Sequence, residues 1–169
     1  MTSDFSLRPL RATDAPSFAK YANNKNVWRN LRDLFPHPYR LEDAENFIAK
    51  MTAPENHALV RCIEVGGDAV GALGVHPLDD VYRRSAEVGY WLGEPFWGRG
   101  IVSRALPMIC EEAFSKIPEL VRLQAAVYAW NPASARVLEK SGFTREGTLA
   151  KSVFKDGTLL DSWLYARIR

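Results

Sequence analysis

A chain of 169 residues is long enough to bury a sizeable core as one domain, without disulfide or metal staples. Its 47% hydrophobic and 25% charged content is ordinary for a globular protein, and 22 Lys+Arg against 20 Asp+Glu leave a formal charge of +2, which makes no case for direct nucleic-acid binding. No apolar run approaches about eighteen residues, and Asp4 and Arg8 stand where a signal peptide would be apolar, so a soluble cytoplasmic protein with no membrane partner is expected.

The chain opens with FSLRPL (5–10), a short strand pattern, after which Thr13 is the expected N-cap of a helix carrying Pro16, Phe18, Ala19, Tyr21 and Ala22. A second short helix should hold Val27, Trp28 and Leu31. The two prolines of LFPHPYR (34–40) exclude regular helix there. Helical spacing returns at Leu41, Ala44, Phe47, Ile48 and Met51, with Glu42, Asp43 and Glu45 placed early to complement the helix dipole. Strands follow at 57–65, 69–76 and 84–92, joined without an intervening helix and so forming an antiparallel meander. Cys62 lies in this strand pattern and Cys110 on a helix stripe, both as small core residues. His37, His57 and His76 lack ligand spacing, and no metal is expected.

Between 84–92 and a strand at 120–128 lies a helix whose apolar residues fall at Ile101, Val102, Ala105, Leu106, Ile109, Cys110, Ala113 and Phe114. The crossover makes those two strands parallel. Pro107 sits inside this helix and should kink it at a cost of roughly 3 kcal/mol. Asn131-Pro132 then opens a helix closed by Gly142, and strands at about 143–154 and 159–168 turn at Lys155-Asp156-Gly157. The expectation is an α+β fold built on a mixed, mostly antiparallel sheet of about seven strands.

The turn at 93–100, with Gly93, Gly98 and Gly100, delivers a helix N-terminus. Unpaired N–H groups, the positive dipole end and glycine's lack of a side chain suit it to a phosphate or pyrophosphate at 97–103. The dinucleotide fingerprint is excluded because Ser103 replaces its third glycine and the chain does not alternate strand with helix. A P-loop is excluded because no Lys-Ser/Thr follows the glycines.

YWLGEPFWGRG (90–100) and NPASARVLEKSGFTREG (131–147), with Glu87 on the preceding strand, resemble the GNAT acyl-CoA N-acyltransferase superfamily, most closely its RimJ/RimL-type branch of ribosomal-protein N-terminal acetyltransferases. The segment LFPHPY and the acidic helix after it resemble the substrate side of that branch more loosely. The resemblance implies the GNAT fold over residues 1–169, with helices on both faces of the sheet and a splayed pair of central strands.

It also implies acetyl-CoA as cosubstrate, an amine acceptor such as a protein N-terminus, and room for a homodimer. Backbone N–H groups of Gly98, Arg99, Gly100, Ile101 and Val102 would hold the pyrophosphate, and an N–H near Trp91 or Leu92 would polarise the thioester. Arg99 would add charge to the phosphate site, or be a solvated loop arginine.

Glu87 matches the position of the general base, with a cross-strand arginine partner as its structural alternative. The tyrosine that many members place seven residues after the motif asparagine is Leu138 here. Ser134 takes the acid role by the branch's pattern, or simply caps a helix. Asn131 would reach the pantetheine arm, or be only an N-cap. Trp28, Phe35 and Tyr39, with Trp91, are candidates for the acceptor channel, or core. Small-molecule amines (polyamine, aminoglycoside, amino acid) and a CoA-binding regulatory module without turnover are the alternative functions.

Overall fold

The computed structural model describes residues 4–169. Seven strands form one sheet: β1 (Ser6–Arg8), β2 (Leu59–Val65), β3 (Asp68–Pro77), β4 (Ser85–Leu92), β5 (Arg122–Tyr128), β6 (Thr144–Lys155) and β7 (Thr158–Ile168), in the order β1-β2-β3-β4-β5-β7-β6. Helices α1 (Ala15–Ala22), α2 (Lys25–Trp28) and α3 (Leu41–Thr52) precede β2. Helix α4 (Ile101–Lys116) links β4 to β5, and α5 (Pro132–Lys140) links β5 to β6. The β4–β5 pair is parallel, as the crossover requires, while β1–β2, β5–β7 and β6–β7 are antiparallel.

The chain forms two compact units. One holds the chain through Gly74 together with Tyr90–Ile101; the other holds Val75–Gly89 and Val102–Arg169.

In the first unit, Phe18 is fully buried at the centre of a core that includes Ala22, Val27, Tyr39, Ala44, Ile48, Cys62, Ala72 and Trp91. Its ring lies 5.2 Å from Trp91, edge-on, and 6.2 Å from Phe47. The ends of the early helices differ from the sequence reading. Thr13 falls inside a short 3-10 turn (Ala12–Asp14), and Asp14, the residue before α1, makes no side-chain cap bond to that helix; its carboxylate reaches back to accept the N–H of Arg11 at 2.8 Å. Helix α2 stops at Trp28, leaving Leu31 beyond it. Asn24 caps its start, accepting from the N–H groups of Asn26 and Val27. Leu41 is exposed at the first position of α3, so the buried stripe of that helix begins at Ala44.

In the second unit, Ala105, Leu106, Ile109, Cys110 and Ala113 of α4 are all fully buried. The helix runs unbroken past Pro107, since this burial outweighs the roughly 3 kcal/mol that proline costs in a helix interior. Leu123, Ala125 and Val127 of β5 are buried on one face. Tyr165 of β7 is 1% exposed and donates its hydroxyl to Glu139 of α5 at 3.0 Å. In β6, register shifts between Leu149 and Val153 accompany a left-handed Lys151, whose N–H donates to Asp161.

A largely buried ion pair in the first unit joins Arg8 on β1 to Asp14. Both guanidinium terminal nitrogens donate to the carboxylate, at 2.9 and 2.8 Å, and Nε of Arg8 donates to Glu64 on β2. Burial works to raise the Asp14 pKa, but the Arg8 and Arg11 hydrogen bonds and the two positive charges outweigh it, and the pKa is lowered. The unfolded chain therefore takes up the proton first on acidification. This contribution to stability is present above pH about 4 and is lost as pH falls through the lowered folded value. Asp14→Asn should destabilise the protein by about 2 kcal/mol at pH 7. It should also flatten the fall in melting temperature below pH 4 in a thermal-melt series; an unchanged acid slope would remove Asp14 from the titration.

Candidate active site

The strand β4 is divided between the two units, residues 85–89 belonging to the second and residues 90–92 to the first. Near its start, Ala86 and Val88 are buried while Glu87 is half-buried between them, as strand alternation demands. The parallel ladder joins Ser85–Glu87 to Arg122–Gln124, with Glu87 opposite Gln124; both strands continue beyond it, β4 to Leu92 and β5 to Tyr128. Arg122 donates both terminal nitrogens to Glu146, at 2.9 and 2.6 Å, and its Nε to Gln124 at 3.1 Å.

At its far end, β4 is braced against β3. The N–H of Gly93 donates to Val70 at 2.8 Å, and a Cβ added at Gly71 would lie 2.4 Å from the Trp91 carbonyl oxygen. The Leu92 carbonyl accepts the indole N–H of Trp97 at 2.7 Å. The alternation expected along β4 breaks here. Trp91 and Leu92 are both buried, and the Trp91 side chain belongs to the core, 5.2 Å from Phe18 and 5.7 Å from Phe35.

Past a 3-10 turn (Glu94–Phe96), Gly98 and Gly100 both take left-handed conformations, φ +73° and +68°, and a Cβ at either would meet nothing within 4 Å. Backbone with open space in front of it leads directly into α4, whose first residue, Ile101, is 1% exposed. Val102 is half-buried. Arg99 is exposed, its Nη2 donating to the Pro95 carbonyl at 3.0 Å and its guanidinium lying 5.2 Å from the Phe96 ring centre. This turn fits a phosphate group: open backbone, a helix N-terminus and an arginine folded back beside it.

In the second unit, Asn131 caps α5, its side-chain oxygen accepting from the N–H of Ser134 at 3.3 Å. Asn131 and Ser134 are both half-buried. Leu138, one turn on, is fully buried, so the position that carries a tyrosine in many relatives of this fold is here a core contact.

On the first unit, Phe35 and Tyr39 stack with ring centres 4.7 Å apart, and Trp28 lies 5.8 Å from His37. Tyr39 is 5% exposed and belongs to the core, and burial pushes its hydroxyl pKa up to about 12. Phe35 and Trp28 are half-buried. Both cysteine thiols are free and buried, with burial raising Cys62 to about 12 and Cys110 to about 11, so neither is a competent nucleophile at neutral pH. The Asn24–Glu94 contact, described below, is a feature that sequence reading missed. Its partners are 70 residues apart and have no spacing signal.

Residues 4–144 match the family model of the acetyltransferase (GNAT) domain, and the chain belongs to that family. YjcK of Bacillus subtilis, described as a probable N-acetyltransferase, is 36% identical over 176 residues, covering 95% of this chain and 91% of that protein. The ribosomal-protein-serine acetyltransferase of Escherichia coli is 33% identical over 102 residues, 60% of this chain and 55% of that protein. The chain thus spans about half the length of several of the curated relatives it matches. Among solved structures, RimJ of Mycobacterium smegmatis, in complex with a CoA disulfide, superposes with a TM-score of 0.83 at 28% identity, over 97% of this chain and 81% of that one. No helix of the described residues is long and apolar enough to cross a membrane.

The close approach of β3 to β4 at Gly71 sets where the Trp91–Leu92 backbone lies. Gly71→Ala should lower the thermal midpoint by several degrees, because backbone rather than a flexible side chain must move. A midpoint within 1 °C or so of wild type would show that β4 yields freely there.

Proposed function

We propose that the whole chain works as one acetyl-CoA-dependent N-acetyltransferase domain that acetylates a primary amine, most favourably the α-amine of a peptide or protein N-terminus, by direct attack within a ternary complex. The observation that carries this reading is the left-handed Gly98/Gly100 turn with open space before it, running straight into α4. The family match and the CoA found in the M. smegmatis RimJ structure support it.

Acetyl-CoA supplies the acyl group as a thioester. Backbone N–H groups of Gly98, Arg99, Gly100, Ile101 and Val102 bind its pyrophosphate, with the Arg99 guanidinium swinging off Pro95 to add charge. An N–H near Trp91 or Leu92 polarises the thioester carbonyl, and the Trp91 side chain contributes by packing that holds the strand end still. Asn131 uses its side-chain oxygen for the α5 cap and offers its amide nitrogen to the pantetheine arm.

Glu87 receives the proton of the attacking amine, directly or through a water, and Ser134 supplies a hydrogen bond or proton to the departing thiolate. Transfer needs no covalent enzyme intermediate, in keeping with two buried cysteines of raised pKa. An α-amine of pKa about 7.7 to 8.0 is roughly one-tenth to one-fifth neutral at pH 7, whereas a lysine near 10.4 is almost wholly protonated. A half-buried carboxylate thus suffices for an N-terminal acceptor. The ribosomal-protein-serine acetyltransferase among the relatives points the same way. Trp28 and Phe35, both half-buried, are the acceptor-side residues on this reading, and Tyr39 shapes the wall from within the core.

An acceptor panel followed by thiol release tests the reading: peptide N-termini should turn over faster than lysine, polyamines, aminoglycosides or free amino acids. Faster turnover of a small amine would move the substrate class. Binding of acetyl-CoA without turnover on any acceptor would leave a regulatory module. In calorimetry, Gly100→Glu should weaken acetyl-CoA binding at least tenfold, and equal affinity would remove the turn from the site. Glu87→Gln should lower kcat by roughly a hundredfold with little change in acetyl-CoA affinity, whereas a wild-type kcat would make Glu87 structural.

A further inference from the structure

The segment from Leu92 to Arg99 is fastened to α1 and α2 by side chains that the reaction itself does not use. Glu94 is the hub. Its carboxylate accepts from Asn24 Nδ2 at 2.6 Å through one oxygen and from Asn26 Nδ2 at 3.0 Å through the other. Asn24 does two jobs at once, since its Oδ1 caps α2 by accepting from the N–H groups of Asn26 and Val27 at 2.7 and 3.3 Å. The two asparagines are therefore held with their amide donors aimed at one carboxylate.

Beside this contact, Phe96 meets Tyr21 edge-on at 5.2 Å, and Tyr21 is itself anchored by its hydroxyl, which donates to Asp68 at 2.9 Å. A Cβ at Gly93 would lie 3.0 Å from Cβ of Tyr21, so the chain leaves β4 pressed against α1. Arg99 then packs back over Phe96.

We propose that Glu94, clasped by Asn24 and Asn26, is a positioning residue for the CoA phosphates: it fixes the start of the 93–100 turn so that the left-handed glycines present their N–H groups without further ordering. This rests on the reading of the turn as the phosphate site. The physical reason is entropic. Two glycines make the turn able to adopt its shape but also able to leave it, and each backbone residue that must be ordered on binding detracts from affinity. A charge-assisted contact at the rigid end of the turn removes part of that cost before the ligand arrives.

The clasp has a defined polarity, donors on Asn24 and Asn26 and acceptor on Glu94, which makes it testable by inversion. Asn24→Asp keeps the oxygen that caps α2 but sets a carboxylate against Glu94. Glu94→Gln removes the charge, and the double variant restores a donor facing an acceptor with the direction reversed. Hydrogen–deuterium exchange of the ligand-free protein and calorimetry with CoA are the two readouts.

Exchange at residues 97–101 should accelerate at least tenfold in Asn24→Asp and return to within about threefold of wild type in the double variant. The CoA Kd should rise roughly tenfold and recover in parallel. Single variants with wild-type exchange, or a double variant no better than Asn24→Asp, would overturn the clasp. If wild-type protein bound no CoA while exchange followed the predicted pattern, the clasp would order the turn but not for CoA, and the proposed function would fail instead.

Discussion

The structure depends on how the chain gets from the end of β4 into α4. The strand end is immovable, since the Trp91 carbonyl lies where any side chain at Gly71 would stand. The helix beyond is equally committed, with Ile101, Ala105, Leu106 and Ile109 buried. Residues 93–100 must reverse between these fixed points, and the reversal takes two left-handed residues, at Gly98 and Gly100. A side chain there would be strained by the backbone alone, although nothing stands in its way. The geometry that closes the turn also leaves bare peptide groups at a helix start. One constraint of chain path thus gives both the crossover and the turn proposed as the phosphate site.

Around that crossover the first unit spends its aromatic residues on rigidity. Phe18, Phe35, Tyr39 and Trp91 form one run of ring contacts between 4.7 and 5.7 Å, which ties the loop before α3 and the helix α1 to the end of β4. The side chain of Trp91 thereby fixes a strand whose backbone faces the reacting carbonyl on the proposed reading. The Arg8–Asp14 pair does similar work at the other end of the unit, joining β1 to the entrance of α1. Polar contacts such as Glu94 with Asn24 and Asn26 then refine what the packing has placed.

Much of this was legible from residue order. The strands, the parallel β4–β5 pair, the Asn131 cap with Pro132 after it and the apolar stripe of α4 all follow from periodicities and caps that act over a few residues. The misread features share a cause. Thr13 is an ordinary cap candidate, yet Asp14 stands before α1, and its carboxylate is taken by Arg8, on a different element, and by the N–H of Arg11. Leu41 matches the helical spacing of α3 and is exposed, because a stripe's first position lies beyond the reach of the core. Trp91, open by its sequence position to channel or core, is core because Phe18 and Phe35 receive its ring.

The amino-acid sequence by itself determined the element order, the glycine turn on a helix N-terminus and the family that these motifs mark, because each is written in neighbouring residues whose backbone preferences are local. Tertiary structure alone decided which aromatic side chains became core and that Glu94 would be held by two asparagines about 70 residues earlier. Those outcomes depend on which distant surfaces meet and at what distance. No local pattern encodes that, because contact energies of a few kcal/mol are settled only once the chain has closed on itself.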